Sequence, residues 1–245
     1  MGRFVRHIPC PKCGSRDNRA VYDDGSEWCF GCHDLKRATR PMYQEVEEVK
    51  APSNIMTELE TKVPEPNRSW LKKYLTDDQI DMFFYWHPRL KRHIYLEWRY
   101  KSQDDSEGEM VYWEGRKVFG PNESTSGISK VISSGSKPYS IWGKWKETGV
   151  IVLVEDIVSA IKLSDLVGVM CLHGSSLPWP MYQRLGNNPA IKKVIIWLDA
   201  DKFPQAQAIS SKFHSWAKET SVIRTPEDPK DYPLEEIKEI LKGAI

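Results

Sequence analysis

Two sets of side chains in this sequence have the type and spacing to do chemistry: four cysteines near the start and a scatter of carboxylates near the end. Cys10 and Cys13 form one C-x-x-C pair in HIPCPKCGS, and Cys29 and Cys32 form a second in EWCFGCHD, with fifteen residues between the pairs. That is the spacing of a zinc ribbon, in which two tight turns bring four thiolates around one tetrahedral, closed, structural Zn²⁺. About 40 residues make too little core to fold alone, so the metal must supply the missing free energy. Cys29-Phe30-Gly31-Cys32-His33 also matches the C-x-x-C-H haem attachment pattern. That reading leaves the first pair idle and needs export, for which Met1 to Cys10 offers no apolar segment. Two disulfides would need an oxidising compartment, against an odd cysteine count. The fifth cysteine, Cys171, lies in the apolar run VGVMCLHG and is expected to be an inert core thiol.

The carboxylates come at the ends of apolar runs. Glu155 closes VIVLVE, and Asp199 and Asp201 close VIIWLDAD. Short continuous apolar runs read as buried parallel strands, and functional groups gather at the carboxyl ends of such strands. Alternate residues of an extended D-x-D face one side, so both acids are expected to serve one metal. Oxygen-only ligands suit Mg²⁺. Asp156 reads equally well as a helix cap. A later cluster, PEDPKDYPLEEI, offers Asp228 or Asp231 as additional ligands, while Glu235 and Glu236 belong to a solvated C-terminal helix.

These residues need elements to hold them. VIVLVE, VGVMCLHG, VIIWLDAD and TSVIRTP alternate with helical stretches such as DIVSAIKLSDLV and FPQAQAISSKFHSWAKE, which implies a parallel sheet covered by helices. Upstream, TDDQIDMFFYW reads as a helix capped by Thr76, followed by strands HIYLEWRYKS and EMVYWEGRKV joined by a turn at DDSEGE. Prolines 41, 52, 64 and 66 punctuate a charged stretch expected to be a flexible linker. The expected organisation is a zinc ribbon over 1–40, a linker over 41–68, an N-terminal part of a larger body over 69–149, and the parallel-sheet part with its C-terminal helix over 150–245.

The net charge of the 245 residues is only +1, so no global basic surface marks a partner. Local bias exists: residues 1–40 hold eight Lys/Arg against five Asp/Glu, and residues 86–101 hold five against one, with aromatics between them. Such stretches suit a phosphate backbone and stacked bases. No apolar run approaches 18 residues, so no membrane partner is expected.

LVEDIVSAIK, CLHGSS, VIIWLDADKFPQAQAI and DPKDYP together resemble the Toprim domain of primases and topoisomerases. With the preceding ribbon, and with SIWGKW, the chain is similar to phage DNA primases, in particular the primase half of short-tailed phage primase–helicases. The resemblance implies an α/β Toprim sheet within an α+β primase core behind a small N-terminal zinc ribbon. It implies Glu155, Asp199 and Asp201 as catalytic, magnesium-binding residues, and Arg116, Lys130 and Lys144 along the nucleotide and template path. The implied activity is synthesis of short RNA primers on single-stranded DNA from ribonucleoside triphosphates, with one structural Zn²⁺ and about two catalytic Mg²⁺, replaceable by Mn²⁺. The implied partners are template, RNA primer, a separate replicative helicase and a DNA polymerase, in the cytoplasm of an infected bacterium. Asp24, Ser26, Glu27 and Trp28 on the ribbon hairpin are expected to read unpaired bases. The rival expectation is a Toprim-type nuclease or a non-catalytic single-strand-binding adaptor. Two departures stand out: Asp156 replaces the family's usual Gly and Ser159 its usual acid, and Phe203-Pro204 follows the D-x-D where a Gly is common. No G-x-x-x-x-G-K-[ST] occurs, so no ATP-driven helicase is expected within these residues.

Overall fold

The computed structural model describes residues 4–22, 25–36, 55–99, 109–120, 123, 128–216 and 218–244. Three sheets organise them. The first is a four-stranded antiparallel meander of β1 (Phe4–Ile8), β2 (Arg19–Tyr22), β3 (Glu27–Cys29) and β4 (Leu35–Lys36). Among the described residues its buried apolar side chains are Cys10, Ala20, Val21 and Cys29. So little apolar area cannot offset chain entropy, which leaves the folding of this unit to whatever the cysteines bind.

The second unit begins with the short helix α1 (Asn67–Leu71) and with α2 (Asp77–Phe83), then the antiparallel sheet β5 (Phe84–His87), β6 (Arg92–Arg99), β7 (Glu109–Arg116) and β8 (Val131–Gly135). Thr76 caps α2 as expected. Its hydroxyl accepts from the Gln79 amide and the Gln79 side chain accepts from the Thr76 amide, a reciprocal capping box. The helix is shorter than the sequence suggests, because Phe84 to His87 leave it to pair with Tyr95 to Arg92. The turn expected between β6 and β7 lies outside the described residues, apart from Glu109.

The linker expectation needs correction at its C-terminal end. Residues 41–54 lie outside the described residues, but 55–68 are built into the body. Ile55 and Val63 are buried, Asn67 hydrogen-bonds His93 at 2.8 Å, and Glu60 bridges Trp86. The prolines break helix without preventing the apolar side chains between them from packing.

The third unit carries β9 (Ile141–Trp142), α3 (Trp145–Thr148), β10 (Val150–Val154), α4 (Ile157–Ser164), β11 (Gly168–Cys171), α5 (Trp179–Gly186), β12 (Lys193–Ile196), α6 (Phe203–Lys212), β13 (Glu219–Val222) and α7 (Leu234–Ala244). The strand order is β13-β12-β10-β11-β9, parallel except for β9 at the edge. Period-2 alternation splits each strand between two cores. Val150, Val152 and Val154 face α4, α7 and the second sheet, while Ile151 and Leu153 face α5 and α6. Helices therefore cover both faces, as the apolar runs predict. The chain leaves β10 for β11 on one side, then returns to place β12 on the other. That reversal opens a crevice at the carboxyl ends of β10 and β12.

Candidate functional site

The four predicted zinc ligands come together. Cys10 and Cys32 sulfurs are 3.7 Å apart, Cys13 and Cys29 sulfurs are 3.7 Å apart, and all four lie within 4.8 Å of one another. Four sulfurs at about 2.3 Å from one ion would stand about 3.8 Å apart, so the cluster is sized for a tetrahedral Zn²⁺. The thiols are unequal without a cation. The Cys13 amide holds Cys10 down to about 6. The Asp34 amide also favours the Cys32 thiolate, yet burial and the neighbouring sulfurs push Cys32 up to about 12. A divalent ion would remove that mutual repulsion. Arg19, buried behind the cluster, donates to Cys10 Sγ at 3.7 Å and pairs with Glu27 and Asp34 at 2.6 and 3.0 Å. Glu27 is further engaged by Lys36 at 2.7 Å, and Trp28 stacks on His33. Glu27 is thus committed to holding the hairpin rather than presented to bases; Asp24 lies outside the described residues.

The predicted acids do not close into one ligand cluster like the cysteines among the described residues, but Glu155, Asp199 and Asp228 lie within electrostatic reach of one another. Glu155 directly follows β10, and Asp199 follows β12 after Trp197, whose amide donates to the Leu153 carbonyl, and Leu198. Burial pushes Glu155 up to about 7, opposed by Lys202 and assisted by Asp201, Asp156 and Asp228. Burial likewise pushes Asp199 up to about 7, with Glu155 the next contributor. Glu155 Oε2 and Asp199 Oδ1 are both buried without a hydrogen-bond partner. A buried bare carboxylate oxygen is costly unless something else satisfies it. Two of them at one crevice suit a hard divalent cation, so these residues fit the Mg²⁺ expected there.

The D-x-D geometry differs from the expectation. β12 ends at Ile196, and Asp199 starts a 3₁₀ turn over Ala200–Lys202. Asp201 therefore sits in a turn, exposed and ion-paired to Lys202, instead of alongside Asp199 on an extended strand. It still contributes to the field at Glu155. Asp228 also enters that field, and its Oδ2 is taken by Lys230 at 2.7 Å. Asp231 is exposed and acts on Tyr74 and Lys162.

Asp156 does what a helix cap does. Its Oδ1 accepts from the Val158 and Ser159 amides at 3.0 and 3.1 Å, and its Oδ2 from the Ser159 hydroxyl at 2.7 Å. Burial alone would raise it, but Lys230 and these hydrogen bonds hold it below the usual carboxylate range.

The predicted basic residues divide. Arg116, at the end of β7, lies over the Trp70 ring at 4.5 Å and lines a small cavity with His93, Tyr95, Glu114 and Asp156. Lys130 is exposed and lies within electrostatic reach of Arg116 and Lys230. Lys144 is at the wrong end of the sheet. It precedes α3, which feeds the amino end of β10, and the adjacent Gly143 packs against the Ser164 and Val167 carbonyls before β11. The length of a strand, on the order of 15 Å, separates that edge from Glu155. Lys144 is therefore not brought to the crevice.

Sequence reasoning missed Lys202 and Lys230, the two ammoniums inside the acidic group, although Lys230 stands in the DPKDYP segment read only for its acids. It also missed His173, whose Nδ1 lies 3.3 Å from Glu114 and whose ring packs 4.6 Å from Tyr112. This contact ties the second sheet to the loop after β11, and no spacing in the sequence announces it.

No family model matches the chain. A 29-residue stretch, 12% of the chain, is 59% identical to a DNA helicase/primase of Enterobacteria phage T3, of which it spans 5%. Among solved structures, the zinc-binding and RNA polymerase domains of the Aquifex aeolicus primase superpose with a TM-score of 0.55 at 14% identity, over 98% of this chain and 78% of that one. The primase fragment of the bacteriophage T7 primase–helicase protein covers 98% of this chain and 99% of its own at 16% identity, with a TM-score of 0.49. The fold is similar to that of the Aquifex aeolicus domains.

Proposed function

We propose that this chain is a DNA primase of the phage type, a nucleotidyltransferase that lays short RNA primers on single-stranded DNA, and that its parallel sheet is a Toprim unit. The observation that carries this reading is the pair of bare, buried oxygens of Glu155 and Asp199 at the switch point of a primase-like sheet. Glu155 and Asp199 would hold a divalent cation, with Asp201 at the exposed rim. That cation, when bound, would supply positive charge to the primer 3′-hydroxyl and the incoming triphosphate. Arg116, its guanidinium over the Trp70 ring, would hold phosphate, and exposed Lys130 would extend that basic edge. Lys202 limits the repulsion that the acids present to an approaching triphosphate. Positioning and charge neutralisation, rather than covalent chemistry, carry the reaction. The zinc-bound ribbon would contact single-stranded template. A helicase that opens duplex and a DNA polymerase that extends the primer are the partners this activity requires.

The test is synthesis on single-stranded DNA with Mg²⁺ and labelled ribonucleotides. The expected products are short oligoribonucleotides, with Glu155→Gln and Asp199→Asn each slower by about 10²-fold, about 3 kcal/mol of transition-state stabilisation. Nucleotide-independent cleavage of the template would instead identify a nuclease.

A further inference from the structure

Lys230 is the least expected group at the crevice. It is 6% exposed, in a 3₁₀ turn whose Pro229 is also buried. Its ammonium donates to Asp228 Oδ2 at 2.7 Å and to Asp156 Oδ2 at 3.2 Å. The turn is fixed from behind, because Lys162 Nζ donates to the Lys230 and Tyr232 carbonyls at 2.7 and 2.6 Å. A long, flexible side chain is thus held in one place between two carboxylates. The charged form of such a buried amine is sustained only by its partners, and here Asp156 and Asp228 keep it firmly protonated against burial.

The acids of the crevice fall into two halves on this basis. On the Asp156–Asp228 side, Asp156 has both oxygens accepting hydrogen bonds and Asp228 is ion-paired. On the Glu155–Asp199 side, each acid keeps a bare buried oxygen. An ammonium is a compact cation with three donors and can neutralise two carboxylates where a divalent ion would otherwise sit.

We propose that Lys230 is a built-in cation that occupies the Asp156–Asp228 half of the site, so that the protein alone binds one divalent ion, at Glu155 and Asp199. The inference rests on the metal-binding role given above to Glu155 and Asp199. Lys230 acts as a positioning residue: it fixes Asp228 and the start of α4, and so the backbone that aims Glu155. Asp156 and Lys230 belong together, since either alone would leave an uncompensated buried charge beside the other acids.

The experiment is Mn²⁺ binding followed by electron paramagnetic resonance on the full, zinc-loaded chain without nucleotide. Wild type should bind one Mn²⁺, Asp199→Asn should lose it, and Asp228→Asn should keep it within about threefold of wild-type affinity. Lys230→Met should admit a second Mn²⁺ between the vacated acids, and Lys230→Arg should not. Loss of Mn²⁺ from Asp228→Asn together with Asp199→Asn would overturn the role of Lys230 while leaving the metal site standing. Retention of Mn²⁺ by Asp199→Asn would overturn the metal site itself. A folded Lys230→Met that still binds one ion would also overturn the proposal; if that variant does not fold, Asp228→Asn decides.

Discussion

Glu155 and Asp199 each leave an oxygen without a hydrogen bond in a crevice that burial has pushed to about 7 for both groups. The reference values are 4.5 and 3.8, so the folded chain holds these protons more tightly than the unfolded chain does. For groups raised in this way, the contribution to stability is present below pH 4 and is lost as pH rises through 7. Without a divalent cation, the ionised pair should then destabilise the fold by a few kcal/mol at pH 8. His93, held down to about 3 by burial, works in the opposite sense as pH rises toward 6.5. A comparison with Glu155→Gln, which shares His93, isolates the carboxyl. In EDTA at pH 8, Glu155→Gln should melt higher than wild type, by about 2–4 °C per kcal/mol relieved. The gap should close at pH 5, and Mg²⁺ should raise the wild type but not the variant. A variant that melts lower at pH 8 in EDTA would show that the carboxyl is not strained. The position of these two residues just past the carboxyl ends of β10 and β12 was legible from the apolar runs that precede them. The partnership of Asp156 and Lys230 was not, because 74 residues separate them and neither sits in a spacing that signals the other.

At the scale of elements, the apolar runs were read correctly because strands buried on both faces need nothing but apolar side chains. β10 shows the consequence: Leu153 packs in one core and Val152 in the other, both fully buried. Leu153→Ala should cost about 2–5 kcal/mol, measured by denaturant unfolding, through lost burial and the cavity left behind. Thr76→Ala, which removes the α2 capping box at an exposed site, should cost only about 1 kcal/mol. If the two losses are equal, the parallel sheet is not the centre of the core. The misread elements share a cause. The D-x-D was treated as strand, but β12 stops at Ile196 and a 3₁₀ turn re-aims Asp201. Lys144 was put on the template path by resemblance, whereas α3 delivers it to the opposite edge of the sheet. Apolar period tells which face a residue takes, but not where the strand ends or which rim of the sheet its loop joins.

At the scale of the molecule, two kinds of stability sit in one chain. Among the described residues, the three buried apolar clusters draw on none before Ile55, while the ribbon's buried apolar side chains there are Cys10, Ala20, Val21 and Cys29. The body is therefore expected to fold without the ribbon, and the ribbon to depend on about one Zn²⁺ per chain. Metal analysis should find that zinc, and Cys29→Ser should release it while the far-ultraviolet signal of the body persists. A chain cut to residues 55–245 should melt at the temperature of the full protein's body and keep its Mn²⁺ site, because Glu155, Asp199 and their supports all lie within it. On the proposed primase function, starting a primer would require two free nucleotides to be held together on template, whereas lengthening one would need only the crevice and its basic edge. The truncated chain should accordingly extend a supplied oligoribonucleotide in Mg²⁺ yet fail to initiate on bare template. Initiation by a soluble 55–245 chain at the same template sites as the full protein would refute that division. Aggregation of the truncated chain would show that the ribbon also completes the body, against the separation of their cores.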